Sequence, residues 1–247
     1  MLFFGHFVVG FQGLEEDVNM IDMAAWNLTI PEGTPSMTIA APMLQQGYQD
    51  SYFRTANGGV VFWAPVTGSS TPQSKFPRSE LRESHADGSP RNWYFPAADN
   101  LLRAALSINK VPSSGRIVIG QVHVSYGPAP LLTLEYQYRN NMGAVVAKIR
   151  KQPRDRYPFK VVLATGLPLD QRFTYSIHLT PSGTLSISSY GAHWAGRLDA
   201  VWRTTPLYFK AGVYTLDNTG YTNEGGQATF YRIEAKHLPP KSKPSPI

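Results

Sequence analysis

Phe173–Ser189 reads FTYSIHLTPSGTLSISS. In its first half Phe173, Tyr175, Ile177 and Leu179 alternate with Thr174, Ser176 and His178. Successive side chains of a strand point to opposite faces, so this is a strand with one apolar and one polar face. Pro181-Ser182-Gly183 then makes a turn, and Thr184–Ser189 is the next strand. The same period of two, rather than 3.6, governs the chain from Met20 to Ala235. Ser51–Arg54 and Val60–Trp63 flank a turn at Asn57-Gly58-Gly59. Ile117–Ser125, Leu131–Tyr138 and Ala144–Arg150 read as successive strands, and Leu207–Tyr214 and Thr229–Ala235 close the pattern. Ala97–Ala105 fits helix or strand. Many short strands with few helices predict an all-β antiparallel sandwich or jelly roll.

The 247 residues are enough for one large all-β domain or two small ones, and no repeat or internal linker divides them. There is no cysteine, which excludes disulfides and thiolate metal sites. The formal charge is +6, and removing the terminal charges (Glu15, Glu16, Asp17; Lys236, Lys241, Lys243) leaves it unchanged. The basic excess therefore belongs to the folded body and favours a polyanion: nucleic acid, anionic lipid or acidic polysaccharide. No nucleic-acid-binding module is recognisable, and no apolar run is long enough to span a bilayer. Residues 1–13, MLFFGHFVVGFQG, are apolar but have no preceding Lys or Arg and no cleavage site of small residues, so they make a poor signal peptide. The expected layout is an extension without fixed structure at residues 1–22, a single catalytic domain at 23–237, and a flexible Pro/Lys-rich tail at 238–247.

Three segments present a chemically active face. In FPRSELRES (Phe76–Ser84), Arg78, Glu80 and Arg82 project together, opposite Ser79, Leu81 and Glu83. The row is either a solvated ion-pair ladder or a carboxylate-binding surface whose guanidinium groups Glu80 holds in place. In IVIGQVHVS (Ile117–Ser125), strict alternation puts Gln121, His123 and Ser125 with Ile117 and Ile119, and turns Val118, Val122 and Val124 to the core. In LYFKAGVY (Leu207–Tyr214), Tyr208, Lys210, Gly212 and Tyr214 share a face, and Gly212 is expected to leave a gap where a ligand could approach the backbone. Each row alone has an ordinary structural explanation. Together they supply every group that one reaction requires.

That reaction is β-elimination on a uronic acid chain. The C5 proton is weakly acidic, and its removal adds charge to a carboxylate that must be neutralised or hydrogen-bonded. Arg78 and Gln121 suit that task. A base must take the C5 proton and an acid must protonate the leaving O4; His123 and Tyr214 are the candidates. The chemistry calls for no metal, no cofactor and no covalent nucleophile.

RSELRE (Arg78–Glu83), QVH (Gln121–His123) and YFKAGVY (Tyr208–Tyr214) resemble, in order and spacing, the three signature motifs of the polysaccharide lyase family 7 alginate lyases. The resemblance extends from about Trp26 to Ala235. It implies a concanavalin-like β-jelly-roll sandwich with an active-site cleft on a concave sheet. It implies that Arg78 and Gln121 neutralise the uronate carboxylate. His123 would be the base for guluronate, and Tyr214 the acid and also the base for mannuronate. Glu80, Arg82, Lys210 and Tyr208 would position the substrate. Val122 stands where many members have Ile, which the resemblance links to mannuronate preference; alternation points Val122 to the core, so any such effect is indirect. Thr215-Leu216 departs from the Asn-Gln of many members, which puts the local substrate contacts in doubt but not the chemistry.

The expected partner is alginate, attacked endolytically by a monomer, with no nucleic acid and no membrane. A large extracellular polymer argues for a secreted or periplasmic enzyme; the lack of a clear export signal leaves a cytoplasmic enzyme acting on imported or leaked oligosaccharide as the alternative. A lyase for another polyuronate such as glucuronan, and a non-catalytic carbohydrate-binding jelly roll, are the competing readings. His85, His178, His193, His6 and His237 are read as structural or terminal. Loops Val66–Lys75 and Gly191–Thr205 are the candidates to cover a cleft.

Overall fold

A computed structural model describes residues 20–239 except Asn57 and Pro128. The strands run in chain order as β1 (Met20–Ile21), β2 (Trp26–Ile30), β3 (Met37–Ile39), β4 (Phe53–Ala56), β5 (Gly59–Pro65), β6 (Arg78–Glu83), β7 (Asp99–Lys110) and β8 (Arg116–Val124). They continue as β9 (Leu132–Arg139), β10 (Met142–Ile149), β11 (Phe159–Leu167), β12 (Phe173–Leu179), β13 (Thr184–Ser189), β14 (Ala192–Arg197), β15 (Leu207–Thr215) and β16 (Gly225–Leu238). One α-helix turn, Ala41–Gln45, and three short 3-10 segments complete the described residues.

The strands form two 8-stranded sheets, as the expected jelly-roll sandwich requires. One is ordered β11-β10-β9-β8-β15-β6-β2-β3 and carries all three signature segments on adjacent strands. The other is ordered β14-β13-β12-β7-β16-β5-β4, with β1 added in parallel to β16. Pairing is otherwise antiparallel. Of the ambiguous segment at Ala97–Ala105, Ala97 ends a 3-10 turn and Asp99–Ala105 starts β7, the long strand at the centre of the second sheet.

The alternation read from Phe173–Ser189 holds. Phe173, Tyr175, Ile177, Leu179, Leu185 and Ile187 all enter the core between the sheets. Facing them are Leu132, Leu134 and Tyr136 of β9 and Phe209, Ala211 and Val213 of β15. Each large side chain buried there contributes about 1.5–3 kcal/mol of transfer free energy, which the ordering entropy largely offsets.

Strict alternation fails in β8. A bulge between Val118 and Gly120 interrupts its pairing with β9, and an inserted residue flips the faces. Ile117 and Ile119 therefore join the core, and Val118 turns to the outer face, the reverse of the expectation for these three. The Ile119 carbonyl accepts a hydrogen bond from Tyr175 Oη at 2.8 Å across the core. Gly120 permits that approach, since a Cβ there would lie 2.6 Å from the same oxygen. Beyond the bulge, Val122 and Val124 face the core and Gln121 and His123 face outward, as expected.

Three further expectations change. Met20–Ile21 already pairs with Arg232–Ile233, and Ile21 packs into the core, so the body begins before residue 23. The rest of the expected extension, with His6, and all of the expected tail beyond Pro239 lie outside the described residues, as does Asn57 of the expected turn between β4 and β5. Residues 192–197 of the expected covering loop form β14, the edge strand of the opposite sheet, and cannot cover the site face. His237, expected to be structural or terminal, is fixed in the body: its Nε2 lies 2.5 Å from Glu83 Oε1 and its Nδ1 lies 2.7 Å from Asn100 Oδ1. It ties the end of β16 to the inner face of β6.

Candidate active site

The outer face of the first sheet holds a groove of ≈ 740 Å³. Its floor is β8, β15 and β6 side by side, and their register fixes the order of groups along it. His123 lies opposite Tyr208; Gln121, Lys210 and Arg82 come next in one row; Glu80 follows opposite Gly212; Arg78 and Tyr214 form the last pair. All eight residues singled out from the sequence are brought together, seven lining the groove and Glu80 lying beneath it.

Glu80 organises the floor. It is 1% exposed. Its Oε2 accepts from Arg78 Nη1 at 3.1 Å and from Lys210 Nζ at 2.5 Å, and its Oε1 accepts from Gln121 Nε2 at 2.5 Å. This is a buried cluster rather than a solvated ladder. Burial pushes the Glu80 carboxyl up, but Lys210 and Arg78 outweigh it and hold the group below the usual carboxylate range. Two cations share one carboxylate, so the cluster carries a net positive charge toward the groove. Burial, reinforced by Arg78, brings the Lys210 ammonium down to about 8. The buried Nε of Arg78 has no hydrogen-bond partner, and such a donor is costly unless a ligand satisfies it. Gln121 also keeps a second amide hydrogen, since Glu80 takes only one.

The two proton-active side chains flank this cluster. His123 Nδ1 is 2.9 Å from the Val124 carbonyl oxygen. A carbonyl only accepts, so Nδ1 carries the proton and Nε2 of the neutral ring keeps its lone pair. Burial brings the imidazole down to about 4, with Lys210 and Arg78 adding to the effect, so near neutral pH His123 is an uncharged base. Its ring stacks on Tyr208 at 5.3 Å, and the Arg82 guanidinium covers the Tyr208 ring at 4.1 Å. At the other end the Arg78 guanidinium lies 3.9 Å over the Tyr214 ring. Burial raises the Tyr214 phenol above its ordinary value against the opposing charge of Arg78, so the hydroxyl keeps its proton. Thr71–Ser74, in the expected covering loop Val66–Lys75, lines the groove alongside Tyr214.

Gly212 does not provide the expected gap. Its φ is +136°, in a bulge between Ala211 and Tyr214 relative to β8, and a Cβ there would meet the Ser79 carbonyl at 2.7 Å and Glu80 Cα at 2.8 Å. Glycine is required by close packing against β6.

The groove continues over groups the sequence reading missed. Glu135 of β9 is 2% exposed. It accepts from Arg116 Nη2 at 2.9 Å, Lys148 Nζ at 2.5 Å and Gln137 Nε2 at 2.8 Å. With Arg150 this makes a second basic stretch of the same groove. The available signals were a carboxylate inside β9, among Leu132, Leu134 and Tyr136, and a lysine near the end of the mostly apolar β10. Among the described residues, no group of three or more His, Cys, Asp or Glu side chains is placed to hold a metal ion.

Comparison with known proteins follows the same lines. The alginate lyase family model matches residues 21–237. The crystal structure of an alginate lyase from Pseudomonas aeruginosa is 44% identical, covers 88% of this chain and 100% of its own, and superposes with a TM-score of 0.87. Alginate lyase A1-II', a member of polysaccharide lyase family 7, is 27% identical over 91% of this chain and 99% of its own, with a TM-score of 0.79. An alginate lyase from Klebsiella pneumoniae is 27% identical over 87% of this chain and 89% of its own.

Proposed function

The chain belongs to the alginate lyase family, polysaccharide lyase family 7, and from that premise we propose that the groove over β8, β15 and β6 cleaves alginate by β-elimination with His123 and Tyr214 as its proton-transfer groups. The protein is a polysaccharide lyase. The observation that carries the residue assignment is the Glu80 cluster: a buried carboxylate holding Arg78, Lys210 and Gln121 beneath a basic groove, with a neutral imidazole at one end and a protonated phenol at the other.

In this reading a uronate carboxylate sits over Arg78 and Gln121. The unpartnered Nε of Arg78 and the second amide hydrogen of Gln121 are the donors that meet it. Removal of the C5 proton sends charge onto that carboxylate, where the fixed cations stabilise it without reorganising. The electron pair forms the C4–C5 double bond, the C4–O4 bond breaks, and O4 takes a proton. No water is consumed. His123 Nε2 accepts the C5 proton of guluronate, which lies on the face opposite the leaving oxygen. For mannuronate, proton and leaving group share a face, and Tyr214 serves as both base and acid. Arg82 and Tyr208 form one wall, and Lys148 and Arg150 extend the positive track for the flanking uronates.

The groove crosses the sheet face, which favours internal cleavage of a polymer by the single chain that supplies every group. Mannuronate preference follows from Val122, whose side chain is buried behind Gln121 and His123, so the smaller residue acts by setting how closely that strand packs. Parallel rate and viscosity measurements on polymannuronate, polyguluronate and mixed alginate test both points. An early fall in viscosity with the fastest rate on polymannuronate is expected. Fastest cleavage of polyguluronate would overturn the preference, and product release without an early viscosity fall would overturn the endolytic mode.

A further inference from the structure

The opposite sheet carries a second depression of ≈ 400 Å³ on its outer face, across the sandwich from the groove. That size falls in the range of small-ligand pockets, about 300–1,000 Å³. The register of five neighbouring strands builds it. Arg103 of β7 lies between Glu234 of β16 and Ser176 of β12; Ser176 pairs with Ser188 of β13, and Ser188 with His193 of β14. In the adjoining row Ala105 lies between Arg232 and Thr174. The small Ala105 leaves a hollow that Arg103, Arg232 and the turn residue Tyr190 enclose.

Its chemistry differs from that of an ordinary sheet surface. Arg103 is exposed and makes no hydrogen bond or ion pair among the described residues. Arg232 pairs with Glu234 through Nη2 at 2.7 Å, yet its buried Nε has no partner. Glu234 also pairs with Lys236, so its charge is already taken up twice. Arg103 and Arg232 are diagonal neighbours on adjacent strands, about 7–8 Å apart at the backbone, within reach of one shared anion. Hydroxyls of Ser176, Ser188 and Tyr190 stand on the other side of the hollow. A cationic fork facing a row of hydroxyls is the complement of a sugar that bears a carboxylate.

We propose that this depression is a second, non-catalytic site that binds a uronate unit of the polymer chain and so raises the enzyme's hold on long substrates. The proposal rests on the polyuronate reading of the groove. Oligosaccharides too short to reach both faces bind the two sites independently, whereas a polymer can engage both, which strengthens binding by effective concentration.

The test uses the full chain with two independent substitutions, Arg103→Glu, which reverses the exposed cation, and Ser176→Tyr, which fills the hollow. Calorimetric titration of the turnover-silent Tyr214→Phe protein with mannuronate trisaccharide should give two sites per chain, and either added substitution should reduce them to one. In the otherwise unaltered enzyme, each should leave kcat on a short oligosaccharide unchanged and raise KM several-fold on polymer. Inorganic phosphate at matched ionic strength should compete weakly and neutral mannose oligosaccharide not at all. A single trisaccharide site in Tyr214→Phe, or KM on polymer unchanged in both variants, overturns the proposal. Full displacement by phosphate would make the pocket a general anion site and overturn the sugar assignment. Failure of the unaltered enzyme to cleave any polyuronate would instead remove the reading on which the proposal rests.

Discussion

His123 Nδ1 donates to the carbonyl oxygen of Val124 at 2.9 Å, one residue further along the same strand. The bond fixes both the tautomer and the ring plane, and leaves Nε2 as the only basic atom of the side chain. Replacing His123 by Ala should lower kcat on guluronate-rich substrate by about 10²–10⁴-fold, the usual contribution of a positioned base, while substrate affinity changes little. Tyr214→Phe should do the same on every block type. Steady-state kinetics beside equilibrium binding separate the two effects; near-full activity of Tyr214→Phe on all block types would remove Tyr214 from its role.

The pH profile should be displaced from that of a free imidazole. Burial holds His123 at about 4, so the base is uncharged and competent above that pH and lost below it. The acid limb of kcat/KM is therefore expected near pH 4, not near the ordinary histidine value of about 6.5. Lys210, brought down by burial to about 8, loses its charge as the pH rises through that value, which weakens the positive floor and sets the alkaline limb. Lys210→Arg should carry that limb upward, because a guanidinium stays charged. An alkaline limb unmoved by Lys210→Arg would point to another group.

Glu80→Gln should damage stability as well as activity. The carboxylate is buried under two cations, and removing one partner of such a cluster costs about 3–5 kcal/mol. Denaturant titration should show the midpoint fall by a corresponding amount. A midpoint equal to that of the unsubstituted protein would mean that Arg78 and Lys210 do not depend on Glu80.

Tyr175→Phe tests whether the β8 bulge matters to the site. The lost hydroxyl would strand the buried Ile119 carbonyl, at a cost of about 1–3 kcal/mol. Because Gln121 and His123 follow the bulge directly, kcat should also fall although Tyr175 lies on the opposite sheet. Lost stability with unchanged kcat would confine Tyr175 to packing.

Much of this was legible in the sequence, for a physical reason. Strands with one buried face write their orientation as a period of two, so the shared face of Arg78, Glu80 and Arg82 could be read directly. Pairing partners leave no such trace. Glu135 and Lys148 lie on adjacent strands, and nothing in either strand alone reveals that they meet. The Val118–Gly120 bulge shifts alternation by one without a sequence mark stronger than a single glycine, so Ile117, Val118 and Ile119 were placed on the wrong faces. Strand β14 was missed because its half-exposed edge needs little apolar alternation. His237 gives no sign of its role in the sequence because its partners, Glu83 and Asn100, lie more than a hundred residues away.

The most direct test of the central claim is ultraviolet absorbance followed while the purified protein acts on alginate. β-Elimination leaves a C4–C5 double bond conjugated to the carboxylate, so absorbance should rise with each bond cleaved, and Tyr214→Phe should abolish the rise. New reducing ends without a rise in absorbance would mean hydrolysis and would contradict the mechanism; no cleavage of polymannuronate, polyguluronate or mixed alginate would contradict the function itself.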